Sequence, residues 1–305
     1  MLRFTLSRFI QSIVVIFAVF TLTFFMVRVV KGDPFAGEKA MTPDVRRVME
    51  TRYGLDRPLY EQYFRTLGSY LQGDLMPSMK YQGMWNARII ADSFPISLTI
   101  GLAALAVALS IGLPAGIIAA VRRNSWVDYS AMSLALVGIC LPTFVMGPVL
   151  ALIFGLHFRW FNVAGWFEST DWVLPSVTMG LIYAAYIARM TRGGMLEVLN
   201  QDFIRTARAK GLSEGRIIIR HALRGGLIPV VAFLGPALAG ITTGSFIIEK
   251  IYNLPGLGQH FVRSVFDRDY SLIMATVMLF ATLLVTVNFF TDVLIGWLNP
   301  RVRFA

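Results

Sequence analysis

Long uncharged apolar stretches alternate with short charged ones along the whole chain. Six runs hold no Asp, Glu, Lys or Arg: Phe9–Val27, Ser93–Val121, Tyr129–Phe158, Trp172–Ala188, Gly225–Ile248 and Tyr270–Thr291. They are 19, 29, 30, 17, 24 and 22 residues long. Each reaches or nearly reaches the roughly 17–25 residues that an α-helix needs to cross ~30 Å of hydrocarbon. Because a charge at mid-bilayer is expensive, such runs are the cleanest span signal. The pattern predicts an all-α membrane protein with six transmembrane helices. Arg3 and Arg8 resemble the charged start of a signal peptide, but the first run exceeds the roughly 7–15 apolar residues of such a segment and no clear cleavage site follows. We therefore read residues 1–30 as a retained transmembrane helix.

The stretch between the first two runs, 31–92, has structure of its own. Thr42-Pro43-Asp44 reads as an N-cap, a proline at the first helical position and an acid in the first turn. Val45, Val48, Met49 and Arg52 keep helical spacing up to Gly54; a second stripe, Tyr60, Phe64, Leu67 and Leu71, ends at Gly73. These two amphipathic helices either dock an external protein or lie across the chain's own helix ends.

Composition narrows the class. Apolar residues make up 56%, charged residues 15%, and mean hydropathy is +0.62, against ~45–50% and ~25% in soluble domains. A soluble enzyme, a disordered chain and a secreted disulfide scaffold are excluded. The lone cysteine, Cys140, is expected to be a buried packing residue.

The net charge of +10 suggests nucleic acid in a soluble protein, but in a membrane protein it reports sidedness. With the N-terminus inside, residues 1–8, 122–128, 189–224 and 299–305 hold 14 basic and four acidic residues; the remainder holds 14 of each. The whole excess then lies on one face, which places both termini in the cytoplasm.

No catalytic constellation is visible. His157, His221 and His260 fall on opposite sides of the membrane and make no metal pattern. The lysines follow Val30, Glu38, Met79, Ala209 and Glu249, never glycine, so no P-loop exists. Arg28 and Asp292, the ionisable residues near span interiors, sit at helix ends where snorkelling accommodates them. What remains is a helical pore or gate without an engine.

The informative segment is the basic loop from Arg189 to Val231. Residues 203–210 contain good helix formers, Asp202 is placed to cap them, and Gly211 suits the C′ position because it accepts positive φ. Phe203, Ile204, Ala207 and Leu212 are interspersed with Arg205, Arg208 and Lys210. On composition alone this could equally be a basic helix on anionic headgroups.

The order of residues is more specific. Phe203-Ile-Arg-Thr-Ala-Arg-Ala-Lys-Gly-Leu, then Ile219-Arg-His-Ala-Leu-Arg and Leu227-Ile-Pro-Val, resembles the cytoplasmic loop of binding-protein-dependent ABC importer permeases. Ala207, Gly211 and Leu223 match that family's pattern, whereas Arg205, Thr206, His221 and Arg224 replace its usual Glu, Ala, Ile and Pro. Elsewhere, Met1-Leu-Arg-Phe, Gly32-Asp-Pro-Phe, Tyr53-Gly-Leu-Asp-Arg-Pro-Leu, Gln72-Gly-Asp-Leu, Thr191-Arg-Gly-Gly-Met, Glu249-Lys-Ile-Tyr-Asn-Leu-Pro-Gly-Leu-Gly and Arg268-Asp-Tyr are similar to the first of the two permease subunits of the oligopeptide/dipeptide branch.

The resemblance implies a type I ABC importer permease fold in a bacterial inner membrane. The N-terminal helix would be followed by a periplasmic segment (31–92), a core (93–298) with its coupling loop (189–224), and a cytoplasmic tail (299–305). Phe203, Ile204, Arg205, Thr206, Ala207, Arg208, Ala209, Lys210, Gly211 and Leu212 would form the helix that couples to an ATPase. Prolines interrupt the third and fifth runs, and Pro142, Pro148, Pro229, Pro236, Gly240 and Gly244 either line the path or serve ordinary helix packing. Asn253, Leu254, Pro255 and Gly256 form a plug or docking turn, or a plain interhelical turn. Implied partners are a homologous second permease, two cytoplasmic ABC ATPases that bind ATP and Mg, a periplasmic peptide-binding protein, a peptide and the lipid bilayer. No nucleic acid, metal or cofactor of its own is expected. Import of nickel or glutathione is the rival within the family; a stand-alone channel, an ion-coupled carrier or a membrane scaffold are rivals outside it.

Overall fold

The computed structural model describes residues 2–29, 35, 43–81, 83–242 and 246–298. All its named elements are helical. In chain order they are α1 (Leu2–Val29), α2 (Pro43–Tyr53), α3 (Leu59–Leu71), α4 (Asn86–Val121), α5 (Trp126–Cys140), α6 (Thr143–Leu150), α7 (Val173–Leu199), α8 (Asp202–Ala209), α9 (Glu214–Arg216), α10 (Leu223–Gly226), α11 (Ile228–Thr242), α12 (Phe246–Ile251), α13 (Leu257–Asp267) and α14 (Tyr270–Leu298). Wider π-turns continue α6 over Ala151–His157 and join α9 to α10 over Ile217–Ala222.

Helices α1, α4, α7 and α14 are each long and apolar enough to cross a membrane. The third and fifth expected runs are bent pairs instead: α5 and α6 meet at 105°, and α9–α10 and α11 at 51°. Both breaks have a local cause. Leu141 precedes Pro142, and a residue before proline is pushed away from the helical region; Pro229 is the second residue of α11 and has no N–H to continue the helix from α10. Leu141 is extended, at φ −76° and ψ 117°. The expected path residues Pro142, Pro148, Pro229, Pro236 and Gly240 are all exposed in this chain, whereas Gly244 lies outside the described residues.

The centre of the fold is the α4–α7 pair, made possible by missing side chains. A Cβ on Gly112 would lie 2.7 Å from the Ala184 carbonyl oxygen, one on Gly116 2.5 Å from that of Ala188, and one on Gly180 2.7 Å from that of Ala104. Gly112 and Gly116 are four residues apart and so share one face, where backbones approach closely. Cys140, expected to be buried, is exposed instead. It is the last residue of α5, where the chain breaks away toward α6.

The described residues of the 31–92 segment pack on the chain itself. Met49, Leu55, Tyr63, Leu67 and Tyr70 join a core with Phe20, Phe24 and Val27 of α1 and Tyr270, Ile273 and Met274 of α14. The inward stripe of α3 is Tyr63, Thr66, Leu67 and Tyr70. Tyr60, Phe64 and Leu71 of the expected stripe are exposed, as is Val48 of α2. α2 begins at Pro43 and Gly54 and Gly73 take positive φ, as expected; the expected cap Thr42 is not among the described residues. Arg28 donates to Gln62 at 3.0 Å and covers the Phe24 ring, and Arg8 pairs with Asp292 at 3.3 Å.

Candidate functional site

The basic loop folds as a short helix seated on the bundle. α8 runs over Asp202–Ala209, and Gly211 follows at φ +76°. The Gly211 N–H donates to the Arg208 carbonyl at 2.9 Å and the Leu212 N–H to the Ala207 carbonyl at 3.3 Å. These two bonds are the pair that closes a Schellman motif, so the helix stops within one residue. Asp202 is not the cap: Gln201 holds that position without a side-chain bond, and Asp202 opens the first turn. There its charge suits the positive end of the helix dipole, as Arg208 suits the other end.

The apolar residues divide into two sets. Ile204, fully buried, and Ala207 enter a core with Ala120 of α4, Met195 and Val198 of α7, and Ile217 and Ala222 beyond. Leu212 packs against the same core. Ile204 is therefore an anchor to this chain and offers nothing outward. Phe203, 47% exposed, is the outward apolar side chain, among exposed Arg205, Thr206, Arg208, Ala209 and Lys210. Arg208 closes the following turn with a forked pair to Glu214, at 2.7 and 3.2 Å. Beside the helix lies a polar cavity of about 510 Å³ bounded by Glu197, Gln201, Phe203, His221, Arg224 and Pro229. The helix is thus rigidly capped, anchored to the chain on one face and basic on the other.

At the opposite end, the turn after α12 is buried rather than projecting. Tyr252 donates to the Gly147 carbonyl at 3.0 Å and bonds Thr178 at 2.8 Å, tying α12 to α6 and α7. Glu249 accepts from Ser97 of α4 at 2.8 Å and from the Gln259 N–H at 2.9 Å. Leu254 and Gly256 are buried; Asn253, at φ +48°, and Pro255 are exposed. These two border a cavity of about 370 Å³ with Tyr81, Trp166, Phe167, His260 and Arg263.

Sequence reasoning missed the buried charges. Arg192 of α7 grips Asp128 of α5 with two bonds, and Asp171 and Asp269 are buried under their own hydrogen-bond donors. At Asp128 the sequence signal was a lone acid between Arg122-Arg123 and an apolar run, whereas Asp171 and Asp269 stand near Glu168 and Asp267 and carry no such mark.

Comparison with known proteins agrees with this geometry. Residues 112–304 match the binding-protein-dependent transport system inner membrane component, and residues 1–101 match the N-terminal membrane component of the same systems. The oligopeptide transport system permease protein OppB of Escherichia coli (strain K12) is 44% identical and that of Haemophilus influenzae 42%, each over 100% of both chains. The dipeptide transport system permease protein DppB of Bacillus subtilis (strain 168) is 41% identical over 99% of this chain and 98% of its own. Among solved structures, an inward-facing MetNI methionine ABC transporter matches with a TM-score of 0.59 at 16% identity, over 69% of this chain and 96% of that one.

Proposed function

The chain belongs to the binding-protein-dependent transport system inner membrane components as a non-catalytic permease subunit of an ABC importer, and on that premise we propose that it carries oligopeptides or dipeptides inward by alternating access. The two bent pairs each count as one span, making six, with both termini and α8 on the cytoplasmic side of a bacterial inner membrane. A homologous second permease completes the path. Two ATPases supply ATP and Mg, and a periplasmic peptide-binding protein delivers cargo to the face that presents Asn253 and Pro255, with Leu254 and Gly256 packed beneath.

The observation that carries this reading is α8: inward anchors at Ile204 and Ala207, a Schellman stop at Gly211, and an outward surface of Phe203 and basic side chains. An ATPase groove receives Phe203, and acidic residues around it steer the basic set. Transmembrane relatives named for oligopeptides and dipeptides favour peptide over nickel or glutathione, and a stand-alone channel would not need the capped helix. The test is uptake of labelled tri- and pentapeptides by the complete assembly in proteoliposomes. ATP-dependent accumulation that requires the binding protein is expected; accumulation without ATP, or none, would sink the reading.

A further inference from the structure

One face of α7 packs on α4 through Ala184, Ile187, Ala188 and Thr191, all buried. Its open face carries Tyr186, Arg189, Gly193 and Glu197, all exposed and spaced three or four residues apart. That stripe is unlike the exposed faces of α1 and α5. α1 presents Phe9, Ile10, Ile13, Val14 and Phe17, and α5 presents Leu134, Leu136 and Val137, surfaces suited to hydrocarbon. A polar stripe on a spanning helix belongs against water or another subunit instead.

Arg189 stands out within it. It is the seventeenth residue of α7, about 24 Å along a helix rising 1.5 Å per residue, at the point where the charge-free run ends and the cytoplasmic loop begins. Among the described residues it makes no hydrogen bond or ion pair, whereas Arg192, three residues on, is held by Asp128. It lines a cavity of about 370 Å³ with Tyr186, Met190 and Ile139, the last at the broken end of α5. Tyr183 and Tyr186 carry the wall onward to Phe233 of α11, with ring centroids 6.3 and 6.0 Å apart. The expected path residues Pro229, Pro236 and Gly240 lie on the exposed face of that same helix.

A guanidinium with no partner among the described residues, at the cytoplasmic end of a spanning helix and beside a row of aromatic rings, fits an organic anion: its planar fork binds a carboxylate with two bonds while the rings cover apolar groups. We propose that Arg189 is a specificity-determining residue of the path, holding the C-terminal carboxylate of the peptide in transit. This rests on the peptide-importer reading above and adds the substrate group recognised and the residue that recognises it.

The test uses the complete assembly in proteoliposomes, supplied with binding protein already saturated with either a tripeptide or its C-terminal amide, so that selection by the binding protein drops out. With the wild-type chain, the free acid is carried faster than the amide. Arg189→Gln lowers uptake of the acid about tenfold, the effect of losing one hydrogen-bonded charge pair, and changes the amide less than twofold. Arg189→Lys keeps most of the preference, and Arg189→Glu reverses it. Equal loss for both substrates would assign Arg189 to packing or to an acid on the second permease, and so overturn the proposal. Wild-type acid and amide rates that do not differ would overturn it too, with no variant needed. Absence of any ATP-dependent peptide uptake by the wild-type assembly would instead count against the peptide-importer reading.

Discussion

The carboxylate of Glu249 fills the space in which Gly256 would carry a side chain: a Cβ there would lie 2.6 Å from both carboxylate oxygens. Glu249 is 1% exposed and is held by Ser97 and the Gln259 backbone. The turn is thus packed around a buried acid, and the glycine is required by close approach, not by its backbone angles. Gly256→Ala should destabilise the protein by about 1–3 kcal/mol through overpacking. Ser97→Ala, which removes a donor to Glu249 and the acceptor of the Leu257 N–H, should cost about 1–3 kcal/mol. Thermal unfolding of the purified assembly in detergent measures both. An unchanged midpoint for Gly256→Ala would mean that the turn relaxes freely.

Asp128 and Arg192 clamp α5 to α7, Nε to Oδ1 at 2.5 Å and Nη2 to Oδ2 at 2.8 Å. The carboxylate is 1% exposed and the guanidinium partly so. Breaking a buried pair from one side leaves an uncompensated charge, at about 3–5 kcal/mol. Arg192→Ala and Asp128→Ala should each lower the yield of folded protein sharply. The double variant, which leaves neither charge, should recover part of the loss in a double-mutant cycle. Strict additivity would show that the pair does not couple the helices.

Gly211 holds φ +76°, and a Cβ added there would meet no atom within 4 Å, so Gly211→Ala meets backbone strain alone, about 1–2 kcal/mol. Gly211→Pro removes the N–H that bonds Arg208 as well. Proline there should abolish ATP-dependent uptake while membrane insertion persists, and alanine should reduce uptake only partly. Ala207→Glu acts differently: it drives a carboxylate into the core around Ile204 and Met195, so loss of folded protein is expected rather than uncoupling. Insertion and uptake measured on the same vesicles separate the two outcomes.

Asp171 lies under the loop before α7. Burial pushes its carboxyl up, but the Glu168 and Phe167 N–H groups, at 2.7 and 2.6 Å, and the Asn162 amide, at 2.9 Å, hold it below its usual value of 3.8. A lowered folded value means that its stabilisation is present above pH 3.8 and is lost as pH falls through the folded value. Fluorescence of the flanking Trp166 and Trp172 should therefore report acid opening of the loop. Asp171→Asn should abolish that acid transition, because the group no longer titrates.

Much of this was legible in the chain. The charge-free runs mark α1, α4, α7 and α14 because hydrocarbon tolerates few charges. Pro43 marks the start of α2, and the glycine after Lys210 marks the end of α8, because local backbone chemistry decides such boundaries. Proline also marked the third and fifth runs as irregular. It did not reveal that Pro142 turns the chain through 105° where Pro148 and Pro236 remain inside their helices. The outcome depends on which neighbours receive the freed carbonyls.

The sequence by itself determined the class, the helices, the capped basic loop and, by resemblance, the importer family, since these rest on composition and on contacts within a few residues. Tertiary structure decided which side of each helix faces inward. Ile204 and Phe203 are adjacent apolar residues on α8, yet one anchors the helix and the other is left for a partner, because α4 and α7 cover only one side. It also paired Asp128 with Arg192 across 64 residues and left Arg189, a few residues away on α7, without an acid among the described residues. Register between packed helices sets such matches, and no short window of sequence contains it.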